Sequence, residues 1–246
     1  MQLQAKAQAE CADLKDDQVL QIRLAAAAAD SDANACFNIL TGWSGQAAGK
    51  VSITRTGSFG YGDLEPMLMI AKPGKTPVWY GQVTESVTRE LIRDYLEGDI
   101  SRPDLALDMT SPLFALQKRI VLRNCGIVDP QNLSAYVTCC QGYSGLAKAL
   151  DFKQEDLITE IGHSGLKNRM GSGDRVAEEW KMALEDLTPE KVVVCNALEF
   201  DLESRKTRLL LEGDPHSVLE GLLIAAYAVG AKQALIAIPK NCGHVK

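Results

Sequence analysis

Two stretches of this sequence hold residues of the right type and spacing for chemistry. Ser164 to Lys181 reads SGLKNRMGSGDRVAEEWK, a glycine-bearing loop running into a helix expected to begin near Asp174. The backbone N–H groups of such a loop, with a helix N-terminus behind them, can cradle a phosphate. The plainer alternative for Gly171 to Asp174 is a capped helix start after a flexible turn. The second stretch is Val192 to Asp201, VVVCNALEFD, an apolar β-branched run that ends in a polar turn. Open α/β sheets bind ligands beyond the carboxyl ends of their strands, here around Asn196 to Asp201. The alternative for Glu199 and Asp201 is a solvated loop, or an ion pair with Arg205 or Arg208. His216 follows a helix start and reads as structural. His163 and His244 lack partner spacing for a metal site, and no CxxC pair occurs. No catalytic side chain and no metal ligand is assigned.

The elements that position these residues follow from periodicity. Val192 to Val194 form one strand, and Asp214 and Pro215 open a long helix, with proline at the first position where its missing N–H costs nothing. Leu219, Leu222, Leu223, Ala226 and Val229 recur at helical spacing, and Gly230 is placed to end the helix. A buried-type strand, Ala234 to Ile238, follows. Strand, helix and strand make a crossover, so the two strands should be parallel. Upstream, residues 2–17 read as a helix, Val19 to Ala27 as a strand, and Ala33 to Ala48 as a helix burying Phe37, Leu40 and Trp43, with Gly49 as its stop. Val51 to Arg55 alternates as a strand. After a glycine-bearing loop come strands at Met67 to Ala71 and Val78 to Tyr80, divided by a Pro73-Gly74 turn. A helix from Ser86 to Leu96 is capped at Thr84 or Ser86. Asp129-Pro130 marks a turn, Gln131 to Leu150 holds one or two helices, and Lys153 to Ile161 another.

Composition excludes several classes. The chain has 246 residues, 46% of them hydrophobic, and a net charge of −6 with acids and bases interspersed. Without a basic stripe to displace counterions, nucleic-acid binding is not expected. The N-terminal residues are polar and mixed in charge, unlike a secretory signal. The longest apolar region, Val218 to Ile238, is broken by Glu220, Gly230 and Lys232, which argues against a membrane span. Seven cysteines without regular spacing suggest reduced thiols in a cytoplasm. Adjacent Cys139 and Cys140 suit neither an ordinary disulfide nor a cluster, and Cys125 and Cys195 read as small buried residues. Trp43 and Trp180 read as core or interface anchors.

The segment VVVCNALEFD…RLLLEGDPHSVLEGLLIAAYAVGA resembles the NADH-oxidising flavoprotein subunit of respiratory complex I, a family that also serves NAD-linked hydrogenases and formate dehydrogenases. ALQKRIVLRNCGIVDPQNLSAY (Ala115 to Tyr136) is similar to it as well. In that family the glycine loop binds flavin mononucleotide, with a pattern like GLRGRGGAGFPTGLKW. Gly165, Leu166, Arg169, Gly171, Gly173 and Trp180 match it. Two glycines become Asn168 and Met170, FPTG becomes Asp174, Arg175, Val176 and Ala177, and the lysine before the tryptophan becomes Glu179. In the family's CNADEGD motif the first acid becomes Leu198 and a glycine becomes Phe200. If FMN or another nucleotide is retained, the resemblance implies that Arg169, Gly171 and Gly173 hold phosphate, Asn196 meets the flavin, and Glu199 orients the nucleotide.

The order βαβ then ββα is similar to thioredoxin-like ferredoxin domains, which hold a [2Fe–2S] cluster on four thiolates. The family's second cysteine pair sits in a pattern like TGC-x-G-x-C-x-LEP. Here Thr56 to Pro66 keeps the frame, but Ser58 and Gly62 occupy the cysteine positions. The first pair falls in the run Ala25 to Ala29, with Cys36 nearby in a helix. A cluster needs soft thiolate ligands, so it is expected to be absent.

The expected fold is therefore α/β: a thioredoxin-like domain followed by a truncated Rossmann-like flavoprotein domain. The divisions are 1–97, a linker at 98–114, and 115–246. The functional expectation is a cofactor-depleted structural or assembly subunit of a multi-subunit NAD- or ferredoxin-linked redox complex. Its partners are the other subunits, one of which could complete the flavoprotein sheet. The alternatives are an electron-transfer subunit binding FMN in an altered site completed by a partner, and a regulatory nucleotide-binding module.

Overall fold

The computed structural model describes residues 18–28, 30–47, 49–169, 173–198 and 205–240. The helix expected at 2–17, and the positions Met170, Gly171, Glu199, Phe200, Asp201 and His244, lie outside the described residues. The chain divides into two compact units. One holds the residues up to Cys140 together with Leu209–Pro215; the other holds Gln141–Arg208 and the residues from His216 onward.

The first unit is built on a four-stranded sheet of β1 (Leu20–Ala25), β2 (Val51–Thr56), β3 (Met67–Ala71) and β4 (Val78–Tyr80), in the order β2-β1-β3-β4. β1 and β2 are parallel with Ile22 opposite Ile53, while β3 runs antiparallel to β1 with Ile70 opposite Ile22. β4 closes the edge, antiparallel to β3. Parallel strands need a crossover, supplied by α1 (Ser31–Ser44). This βαβ then ββ order, with a helix after it, is the thioredoxin-like arrangement. Asp30 starts α1, its carboxylate accepting from the Ala33 N–H at 2.9 Å. The helix ends at Ser44 with Gly45 as its cap, four residues before the expected stop at Gly49. The Ser44 hydroxyl and the Gln46 N–H turn back onto the Thr41 and Trp43 carbonyls, at 2.9 Å each, and so close the last turn early.

Ile22, Leu24, Leu40, Leu68, Ile70, Tyr80 and Leu91 form the core, with Phe37 and Trp43 packed against it half-buried. α2 (Glu85–Leu91) is capped by Thr84 and widens into a π-helical turn at Ile92–Glu97. Residues 98–114, expected as a linker, are fastened along this unit. Arg102 bonds Glu90, Asp94 and Asp104, and Ala106 bridges to Tyr80. The segment includes the start of a short turn of helix, α3 (Pro112–Ala115), and α4 (Leu133–Cys139) follows.

In the second unit α5 (Ser144–Asp151), α6 (Gln154–Ser164) and α7 (Val176–Glu185) precede β5 (Val192–Asn196). α8 (Lys206–Gly213), whose residues from Leu209 onward belong to the first unit, leads to α9 (Pro215–Val229), and β6 (Gln233–Ala237) follows. β5 and β6 are parallel, with Val194 opposite Leu235, as the crossover requires. Gly230 ends α9 at φ +71°, where only glycine is unstrained. Glu220 on α9 caps α5, accepting from the N–H groups of Tyr143 (2.9 Å) and Leu146 (3.1 Å). Ala149, Leu157, Ile158 and Ala228 are its small buried core, lined by Trp180, Ile224 and Tyr227.

Three expectations are corrected in this unit and at its border. β6 is not a buried strand: three of its five residues are exposed. On α9 only Leu222 and Val229 of the apolar series are buried, while Leu219 and Leu223 are exposed, because the helix packs through Ile224, Tyr227 and Ala228. Cys139 is disulfide-bonded, unlike Cys36, Cys125, Cys140 and Cys195, which are free thiols.

Candidate functional site

The glycine loop is closed on itself. Lys167 and Arg175 form an antiparallel bridge across it. The Asn168 N–H donates to the Asp174 carbonyl at 2.8 Å and the Val176 N–H to Leu166 at 3.1 Å. These bonds hold residues 174 and 175 in extended ladder geometry, so α7 begins at Val176 rather than near Asp174. The two side chains that replace a glycine and a lysine of the family's pattern meet each other. The Asn168 amide donates to the Glu179 carboxylate at 3.2 Å. Glu179 stands in the first turn of α7, where a carboxylate is favoured by the helix dipole and where a phosphate would otherwise be drawn.

Of the five site residues named from the sequence, Arg169, Gly173 and Asn196 are described. Gly173 takes φ +74°, a conformation that needs glycine there. Asn196 stands at the carboxyl end of β5, but its side-chain oxygen accepts from the Leu198 N–H at 3.1 Å, shaping its own turn. No hydrogen bond joins Arg169 or Gly173 to Asn196 among the described residues. Gly171 and Glu199 lie outside them. His216 bonds the Tyr143 hydroxyl at 3.0 Å, a structural contact, and His163 pairs with Glu160 on the surface.

A second candidate place for chemistry lies at the carboxyl ends of β1 and β2. Ser58 is buried. Its hydroxyl donates to the Glu65 carboxylate and accepts from the Gly60 N–H at 3.0 Å. Gly62 opens a short 3-10 turn, Gly62–Leu64. Ala25 and Ala26 are buried in the unit's interior. Cys36 is fully buried, its thiol facing the Val83 carbonyl at 3.5 Å, and burial pushes its pKa up. These residues offer no thiolate set, so they do not fit an iron–sulfur cluster. No group of three His, Cys, Asp or Glu side chains among the described residues could hold a metal ion.

Two residues at this end of the sheet do not stand out in the sequence. Glu212, within the LEGDP motif, is buried, and its carboxylate accepts from the Ala28 N–H at 3.3 Å. Arg55 donates to Asn34 and, at 3.3 Å, to the Ala28 carbonyl. Beside Glu212 the backbone approach is very close: a Cβ on Gly57 would stand 2.4 Å from the Gly213 Cα. Asn124 bonds the buried Asp214 at 2.8 Å. The thiol of Cys125, packed on Gly213, is pushed up to about 11 by burial and by the nearby Asp214. Arg119 ties the loop to the segment around Cys125, donating to Phe59 O at 2.8 Å and to Cys125 O at 3.2 Å. A signal for Glu212 is nonetheless present in the sequence, since a polar LEGDP run amid leucines has to be satisfied when buried.

Comparison with known proteins places the chain. Residues 161–244 match the family described as the Nuo51 FMN-binding domain. The NADP-reducing hydrogenase subunit HndC of Solidesulfovibrio fructosivorans is 41% identical over 122 residues, 50% of this chain and 24% of that protein. An NADH-quinone oxidoreductase subunit of Aquifex aeolicus is 38% identical over 97 residues, 39% of this chain and 22% of that one. Over these stretches the chain is similar to the complex I flavoprotein subunits. It spans about a quarter of the length of these curated relatives. A solved thioredoxin-like [2Fe–2S] ferredoxin from Aquifex aeolicus overlaps 37% of this chain and 92% of its own, at 16% identity and a TM-score of 0.31. No helix among the described residues is long and apolar enough to cross a membrane.

Proposed function

We propose that this flavoprotein relative is a cofactor-depleted structural or assembly subunit of a multi-subunit NAD- or ferredoxin-linked redox complex. The observation that carries the reading is the Asn168–Glu179 hydrogen bond, which closes the glycine loop with the same two substitutions that remove the family's glycine and lysine. A carboxylate at that helix start repels phosphate and reduced flavin, and its pairing with Asn168 gives it a structural use. The residues present do not fit FMN in the family's manner, and no step is routed through a flavin. In this reading an N-terminal module (1–97), a connecting segment (98–114) and a flavoprotein-like module (115–246) serve as docking surfaces for other cytoplasmic redox subunits. The exposed face of β5 and β6, with Val192, Val194 and Leu235 each about half exposed, supports a partner that continues or covers this sheet, because parallel sheets are normally buried on both faces.

The test is an absorption spectrum of the complex purified through this chain, with released flavin and iron assayed and assigned by subunit. A colourless subunit carrying neither is expected. FMN at near one per chain would overturn the reading in favour of an altered electron-transfer site. A colourless chain whose melting temperature rises with nucleotide would overturn it in favour of a regulatory module. The triple variant Asn168→Gly, Met170→Gly, Glu179→Lys sharpens the test: it should gain measurable FMN affinity that the natural chain lacks.

A further inference from the structure

A cavity of about 330 Å³ opens in the first unit at the carboxyl ends of β1 and β2. Its volume lies at the lower end of the range for small-molecule sites. Its walls carry charge of both signs, and the arrangement is specific. Arg55 is half-buried and makes no ion pair among the described residues; its guanidinium donates to neutral acceptors, the Asn34 side chain and the Ala28 carbonyl. Glu212 is 8% exposed, and its carboxylate accepts from the Ala28 N–H on the other side of the same residue. Acid and base thus converge on Ala28 from opposite sides without bonding each other. Asp129 adds a second carboxylate to the wall, with one oxygen accepting from the Gln131 N–H at 2.9 Å.

The rest of the lining is largely apolar: Ala26, Ala28, Phe37 and Pro130. An anion alone would gain Arg55 but face two carboxylates. A cation alone would gain the carboxylates but face a guanidinium. A small molecule carrying both charges on one carbon satisfies both ends, and guanidinium–carboxylate pairing is among the strongest contacts a half-buried site can make. We propose that this cavity binds a small zwitterion of the α-amino acid class. Its carboxylate meets Arg55, its ammonium meets Glu212 and Asp129, and its apolar side chain lies against Phe37 and Pro130. The site is independent of the glycine loop, so it stands or falls apart from the fate of the flavin.

The experiment compares three probes on the purified full chain, by calorimetry and thermal shift. These are L-leucine, its amine counterpart 3-methylbutylamine and its acid counterpart 4-methylpentanoate, with glycine and L-phenylalanine bracketing side-chain size. Saturable binding of at least one amino acid is expected, with the amine and the acid each at least about tenfold weaker than leucine. Arg55→Gln and Glu212→Gln should each weaken binding by about tenfold or more. Ala28→Leu, at an exposed position on the cavity wall, should block it while leaving the circular dichroism spectrum unchanged, which guards against loss of fold in the charge variants. The proposal is overturned if none of the three amino acids binds at about 20 mM. It is equally overturned if the acid or the amine binds as tightly as leucine, or if Ala28→Leu binds like the natural chain.

Discussion

Two apolar strands of this chain, β3 in the first sheet and β5 in the second, meet opposite surroundings. In β3, MLMIA, four of five residues are buried. In β5, VVVCN, exposed and half-buried residues alternate, and none is buried. The first sheet shares a core cluster with α1 and α2 through Ile22, Leu24, Leu68, Ile70 and Tyr80, with Val51 and Ile53 of β2 packed against it. The second presents Val192, Val194 and Leu235 at 48%, 56% and 55% exposure. Apolar composition states a demand for burial; whether it is met depends on which elements are at hand. The four-stranded sheet meets its demand within its own unit, and the β5–β6 sheet leaves part of its demand for another surface.

The largest effect that separates the two sheets is a core truncation. Ile22→Ala, at a fully buried position, should destabilise by about 3 kcal/mol, whereas Val194→Ala should cost less than about 1 kcal/mol because little is buried there. Urea denaturation of the chain, followed with probes in each unit, measures both. Equal losses would mean that the sheets are equally covered and would end the comparison.

Next in size is a test of the close approach beside Glu212. A Cβ on Gly57 would stand 2.4 Å from the backbone of Gly213, and neither chain can yield as a flexible side chain would. Gly57→Ala should therefore cost about 1–3 kcal/mol, in the range of overpacking. Gly42→Ala, inside α1 with nothing within 4 Å, should instead stabilise by up to about 1 kcal/mol. The same denaturation curves would show opposite signs for two glycine-to-alanine changes in one unit. A neutral Gly57→Ala would mean that the LEGDP segment is not held against β2.

Much of this was legible in the sequence, for reasons that differ by region. β2 follows from period-two alternation, and β3 and β4 from short apolar runs divided by a Pro-Gly turn, all local signals. The parallel pairing of β5 and β6 follows from the crossover rule. The early end of α1 at Gly45 was not legible, because it rests on the Ser44 and Gln46 bonds to carbonyls a turn behind rather than on the nearest obvious stop. The start of α7 was displaced by the Lys167–Arg175 bridge, a pairing that no propensity announces. At the glycine loop, the individual departures from the family's pattern were visible, but that Asn168 and Glu179 bond each other was not, since they lie eleven residues apart on different elements. Glu212 and Arg55 were passed over because their shared partner, Ala28, is brought to them only by the fold.

A smaller contrast lies in the thiols. Cys125, pushed up to about 11 by burial and Asp214, holds on the order of a hundredfold less thiolate at neutral pH than an ordinary cysteine, and the thiolate is the reacting form. Cys36 is equally enclosed, while Cys195 in the second unit is half-buried. A brief iodoacetamide pulse at mildly alkaline pH, read by peptide mass spectrometry, should label Cys195 well before Cys125 and Cys36. Labelling of Cys125 at the rate of Cys195 would show that the first unit opens as readily as the second.

The smallest expected effect is electrostatic and belongs to the first unit alone. Hydrogen bonds from Lys72 and Lys75 hold the Asp99 carboxyl down to about 2, against about 3.9 in an unfolded chain. A carboxyl whose folded value is depressed adds stability at every pH above its unfolded value, and that contribution is lost as pH falls through the folded value. The difference in melting temperature between the natural chain and Asp99→Asn should therefore be steady from neutral pH to about 5, shrink between about 4 and 2, and vanish below that. Asp99 sits at φ +51°, where asparagine is as well tolerated as aspartate, so the substitution isolates the charge. The pair is exposed on the Asp99 side, so added salt should also erode the difference. A difference that persisted at pH 2 would mean the carboxylate contributes through shape rather than charge.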